Sequence, residues 1–98
     1  MTYKIIVRPE ARREIQEAFD WYEEQSEGLG GEFLRAADAC LSGVQRSPDA
    51  YQVVHGEVHR ALLRRFPYAL FYLIRDDTII VLACFHVKRS PADWQRRI

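Results

Sequence analysis

Residues 58–86 constrain the fold more than any other part of the chain. Three runs rich in aliphatic and aromatic residues, 58–65 (VHRALLRR), 68–75 (YALFYLIR) and 78–86 (TIIVLACFH), are separated only by Phe66-Pro67 and Asp76-Asp77. Connections this short leave no room for a crossover, so the three strands must be neighbouring and antiparallel. Ahead of them, residues 3–8 read as a short first strand, ended by Pro9, which suits the first turn of a helix. Ala11, Ile15, Ala18, Phe19 and Tyr22 then recur at helical spacing, with Glu14, Glu17 and Glu24 on the other side as a solvated face. This helix ends near Ser26, before the Gly28-Leu29-Gly30-Gly31 break. A second amphipathic stretch runs through Phe33, Ala36, Ala37, Cys40, Leu41 and Val44 to the stop at Ser47-Pro48. The order β-α-α-β-β-β predicts an α+β fold, with an antiparallel helical hairpin on one face of the sheet. The tail SPADWQRRI adds a short helix, Ser90 capping it and Pro91 at its first position.

With 98 residues, one domain is expected. No apolar run approaches a bilayer-spanning length and the N-terminus lacks a signal-peptide core, so the expected location is the cytoplasm, without membrane association. Cys40 and Cys84 lie far apart and read as small core residues, not as a disulfide or metal pair. There is no Gly-rich phosphate loop, no His-Glu-x-x-His and no Gly-x-Ser-x-Gly, so no cofactor or metal is expected. Charge is divided by half: residues 1–50 carry six Lys/Arg against ten Asp/Glu, residues 51–98 eight against four. Twelve of the fourteen basic residues are Arg, whose forks suit carboxylates and phosphates. The second half, with all three histidines, is the one suited to an acidic or phosphate-bearing partner.

Register follows from the two tight turns if neither strand pair is bulged. Arg75 then faces Thr78, Leu73 faces Ile80 and Ala69 faces Cys84, while Arg64 faces Ala69, Leu62 faces Phe71 and Arg60 faces Leu73. One face carries Ala61, Leu63, Leu70, Tyr72, Ile74, Ile79, Val81, Ala83 and Phe85 and belongs under the helices. The other carries Arg60, Leu62, Arg64, Phe71, Leu73, Ile80, Leu82, Cys84 and His86. A soluble monomer rarely leaves such a patch bare. The expectation is a groove, partly covered by the tail, for an amphipathic peptide with acidic residues.

Arg60-x₄-Arg65-Phe66-Pro67-Tyr68-x₃-Tyr72, an Ile/Val strand, then His86-Val87-Lys88-Arg89-Ser90-Pro91-x-x-Trp94 resemble toxins of the RelE/ParE superfamily. Chain length and element order agree. The resemblance implies a type II toxin–antitoxin module, whose antitoxin wraps the toxin and binds operator DNA itself. It implies one of two activities: poisoning of DNA gyrase, as in ParE-like members, or metal-free cleavage of mRNA on the ribosome, as in RelE-like members. Cleavage needs clustered cations to stabilise phosphorane charge, and docking on ribosomal RNA favours a basic surface. Zero formal net charge, a pI near 6.8 and only two lysines favour the ParE-like reading, a plasmid-stabilising gyrase inhibitor without chemistry of its own. A homologue that only binds antitoxin is the third reading.

Binding to antitoxin or target would fall on Arg60, Leu62, Arg64, Phe71, Leu73, Leu82, His86, Lys88, Arg89, Trp94, Arg96 and Arg97. A nuclease would draw instead on Arg60, Arg64, His86 and Glu57. Each has a plainer reading beside it. His86 suits a hydrogen bond to strand-end backbone, Arg60 a brace for the tail, and Lys88, Arg89, Arg96 and Arg97 a solvated end. Trp21 and Trp94 read as packing anchors.

Overall fold

The computed structural model describes residues 2–97; the last tail residue, Ile98, lies outside the described residues. The elements run β1 (Lys4–Val7), α1 (Pro9–Gln25), α2 (Leu29–Arg46), a single 3-10 turn (Pro48–Ala50), β2 (Gln52–His55), β3 (Val58–Leu62), β4 (Tyr68–Arg75), β5 (Thr78–His86) and α3 (Ala92–Gln95). They form an α+β domain with one five-stranded sheet in the order β1-β5-β4-β3-β2, antiparallel except that β1 runs parallel to β5. Among the described residues no helix is long and apolar enough to cross a membrane.

The helical hairpin is set by a carboxylate and a glycine. Glu23 accepts hydrogen bonds from the Gly28 and Gly30 amides at 2.9 Å each, which satisfies free N–H groups at the start of α2. A Cβ on Gly30 would stand 2.8 Å from both the ring and the carbonyl of Phe19, so only glycine lets α2 approach α1 there. The hairpin closes over Phe33, Leu70, Tyr72, Ile79 and Val81, all fully buried. Tyr22, Phe33, Phe66 and Tyr68 add edge and stacked ring contacts at 4.9–6.0 Å between centroids.

Four expectations are corrected. A fifth strand, β2, pairs with β3 through a turn at Gly56, whose φ of +54° favours glycine. β3 ends at Leu62, so the β3–β4 loop is longer than Phe66-Pro67, and Leu62, not Arg64, stands opposite Ala69. That register differs by two residues, so the faces of β3 are kept.

The third correction changes faces. Arg75–Thr78 and Leu73–Ile80 pair as expected, but a bulge leaves Leu82 opposite no partner, and Ala69 meets Phe85 instead of Cys84. Beyond it every side chain of β5 changes side. Ala83 and Phe85 leave the hairpin core for the second face, while Cys84 joins the hairpin side. His86, two residues on, follows Cys84 by the strand's alternation.

The fourth concerns the second face, which is not an open groove. The tail returns across it, and Trp94, 3% exposed, stacks on Phe71 with ring centroids 4.8 Å apart. Phe71, Leu73, Leu82 and Phe85 are buried beneath it. Leu62, at 57% exposure, is left outside this cover.

Candidate functional site

The tail begins where β5 ends. Val87 donates to the Pro67 carbonyl (2.9 Å), holding the turn against the β3–β4 loop. Ser90 Oγ accepts from the Ala92 amide at 3.3 Å, but α3 starts at Ala92 with Pro91 in the N-cap position, so Ser90 precedes the cap instead of forming it as expected. Arg89 Nε and Arg96 Nη2 both donate to Asp93 at 2.9 Å, on either side of the short helix α3. The Arg89 hydrogen bond, more than anything else, lowers the Asp93 carboxyl below its ordinary value.

Glu14 holds the far end of this tail. β1 stops beside Val81, and among the described residues no strand pairs with the outer edge of β5 beyond that point. Side chains complete that edge: Glu14 Oε1 accepts from the Cys84 amide at 3.0 Å, and Arg97 Nη1 donates to the Leu82 carbonyl at 3.0 Å. Between them, the Arg97 guanidinium grips Glu14 with two hydrogen bonds of 3.0 and 2.7 Å. Arg89 Nη1 lies 3.5 Å from the same carboxylate. Arg89 and Arg97 also sit over the Phe85 ring, 4.0 and 4.9 Å from its centroid. Glu14 is therefore a buried anchor, not part of a solvated helix face. Its spacing from Ala11 and Ala18 on the buried stripe was the available signal.

The candidates divide into separate groups. Arg60, His86, Arg89 and Trp94 line one cleft of about 270 Å³ between tail and sheet. Arg60 donates to Gln52 Oε1 at 3.2 Å, a link to β2 and not to the tail. His86 accepts the Lys88 amide proton at Nδ1 (3.1 Å), which leaves its proton on Nε2, the strand-end role expected of it. Its ring lies edge-on to Tyr68 at 5.3 Å. On the helix side, Trp21, Tyr22, Pro67, Tyr68 and His86 bound a second cleft, and Trp21, at 55% exposure, is no packing anchor. Lys88 and Arg96 are exposed at the tail's rim.

Arg64 and Glu57 stand apart from this group. Arg64 lines a cleft beside α2 with Leu62 and Arg46. Glu57 pairs with Arg75 at 3.4 Å, at the end of β4 opposite Tyr68, which is the residue facing His86. Seven residues of strand place those ends on the order of 23 Å apart. Both thiols are pushed up by burial, Cys40 to about 11 and Cys84 to about 12, so neither is a nucleophile at neutral pH. Among the described residues no group of three or more His, Cys, Asp or Glu is arranged to hold a metal ion.

This architecture matches solved toxin structures. A chromosomal ParDE toxin–antitoxin system from P. aeruginosa superposes with a TM-score of 0.66 at 14% identity, covering 87% of this chain and 96% of that one. The RelBE2 toxin–antitoxin complex from Mycobacterium tuberculosis gives 0.62 at 18%, covering 88% and 99%. A free, doubly arginine-substituted E. coli toxin RelE gives 0.66 at 18%, covering 100% and 99%. No curated protein matches the sequence. Fold and sequence together define a toxin of the RelE/ParE superfamily. More narrowly, residues 5–91 match the family described as the ParE toxin of the type II toxin–antitoxin system, parDE, and the chain belongs to that family.

Proposed function

We propose that this toxin arrests growth by inhibiting DNA gyrase through binding alone, in the cytoplasm, and that a cognate antitoxin neutralises it. The observation that carries this reading is the dispersal of the residues a nuclease would need. Glu57, the one carboxylate offered as a base, is engaged by Arg75 at the far end of the sheet from His86. Arg64 lines a cleft that neither Arg60 nor His86 reaches. A general base has to lie within hydrogen-bond reach of the proton it removes, and these groups do not share one substrate position. Two other features support binding. Zero net charge is unfavourable for docking on ribosomal RNA, and Lys88 and Arg96 are exposed at the tail's rim, with Arg96 also paired to Asp93, where a protein or DNA surface can reach them.

The deciding experiment induces the toxin without antitoxin and follows labelled thymidine and methionine. DNA synthesis falling first, with supercoiling by purified gyrase inhibited in vitro, is the expected result. Translation collapsing first would establish the ribosome and mRNA as target and return Arg60 and His86 to catalytic candidacy. No arrest despite a tight antitoxin complex would mark a homologue that only binds.

A further inference from the structure

On the hairpin side of the sheet, at the end away from His86, lies a cleft of about 330 Å³. Its walls are Asp49 of the 3-10 turn, Val53, Gly56, Glu57 and His59 of the β2–β3 hairpin, and Ile74 of β4. Two aromatic rings fix the 3-10 turn against the sheet. Tyr72 Oη donates to the Pro48 carbonyl at 2.6 Å, and His59 Nδ1 lies 2.8 Å from the Tyr51 carbonyl. The two rings stack on each other, with centroids 5.1 Å apart and an interplanar angle of 11°. Asp49 is therefore held beside the hairpin by packed groups on both sides of it.

A carbonyl only accepts, so Nδ1 of His59 carries the ring proton, and Nε2 of the neutral imidazole is a bare acceptor. The residue is 9% exposed, yet among the described residues Nε2 has no partner, and it is not sealed from solvent. A buried ring that keeps an unmatched acceptor at a cleft offers a place for a donor.

Charge selects that donor. Asp49 is exposed and has no ion-pair partner among the described residues. Glu57 has one contact, to Arg75 at 3.4 Å, which leaves lone pairs on its carboxylate. Among the described residues no Lys or Arg lines the cleft, so an anion is repelled. A metal ion is not served either, since no three ligands converge there. A guanidinium fork matches one carboxylate in its own plane, whereas an ammonium has three divergent donors. Those three match one imidazole nitrogen and two carboxylates.

We propose that this cleft binds a primary ammonium group, which donates to His59 Nε2 and to the carboxylates of Asp49 and Glu57. A free polyamine and a lysine side chain carry the same group, and the experiment separates them. The site does not depend on which target the toxin acts upon. An occupant would tie the 3-10 turn, the β2–β3 hairpin and β4 together.

The test follows the histidine ring nitrogens of the nitrogen-labelled, full-length toxin by NMR at constant pH and ionic strength. Butylammonium, spermidine and N-acetyl-lysine amide should each give a saturable shift of His59 Nε2, while His55 and His86 stay in place. Tetramethylammonium, which carries the charge without a donor, should give none. Asp49→Asn, an exposed substitution, should weaken butylammonium binding about fivefold or more at an unchanged melting temperature. Tighter binding of spermidine than of N-acetyl-lysine amide would support the site with a free polyamine as its occupant, and the reverse order would support it with a lysine side chain. No saturable shift with any primary amine, an equal shift with tetramethylammonium, or wild-type affinity in Asp49→Asn would overturn the site.

Discussion

Glu14 and Arg97 join two ends of the chain that are 83 residues apart. The carboxylate is almost fully buried and the guanidinium mostly so, with side-chain exposures of 5% and 15%. Such a pair is a poor source of net stability, because desolvation offsets much of the attraction. Removing one partner is different, since it strands the other charge. Glu14→Ala should therefore cost about 3 kcal/mol in urea unfolding and should free the tail, seen as a rise in solvent exposure at Trp94. Asp93 is the opposite case, partly exposed and so screened by solvent. Arg89 and Arg96 lower its carboxyl in the folded state, so its contribution to tail order is complete above the ordinary Asp range. It is lost as pH falls through the lowered native value. In a Trp21→Phe background, Trp94 fluorescence should hold steady from neutral pH to about 5 and report tail release only below about 4.

At the scale of elements, α3 is too short to persist alone, and its place depends on Trp94 against Phe71. Trp94→Ala should cost about 3–5 kcal/mol and expose Phe71 and Phe85, so that a hydrophobic dye binds at temperatures where the wild type excludes it. If the dye signal and melting midpoint stay at wild-type values, the tail is not the cover of this face. The helices and the last two strand runs were legible because each repeats one period over many residues. β2 was missed, although Val53-Val54 beside the Gly56-Glu57 turn carries a hairpin signal, because four residues give too little pattern. The bulge at Leu82 was illegible for a different reason. The run Ile79 to Phe85 is apolar at every position, so either register buries hydrophobic side chains and alternation cannot choose. That single residue moved Phe85 to the tail and His86 to the hairpin side. Of the candidate residues, Arg60, His86, Arg89 and Trp94 meet at one cleft, whereas Arg64 in the β3–β4 loop and Glu57 at the β2–β3 turn do not, for reasons independent of the bulge.

Across the whole molecule, zero net charge conceals two poles. One end of the sheet carries Arg64, Arg65 and Lys88 around the β3–β4 loop and the tail's first turn. The other carries Glu57, Asp76 and Asp77 around the remaining hairpin turns, where Arg75 and Lys4 answer only part of the charge. A dipole of this kind orients an approaching acidic partner more than it strengthens a finished contact. The basic pole adjoins the tail and two of the clefts that His86 lines, so it should lead in target encounter. The double variant Lys88→Glu, Arg64→Glu alters exposed side chains that make no ion pair among the described residues and should leave the melting temperature within a few degrees of wild type. Its toxicity should fall at least tenfold in induced cultures, and wild-type inhibition of the target should weaken as salt rises. Glu57→Gln, at the other pole, should leave toxicity unchanged. Loss of toxicity in Glu57→Gln with stability intact, and none in the basic-pole variant, would move the working surface to the opposite end of the sheet.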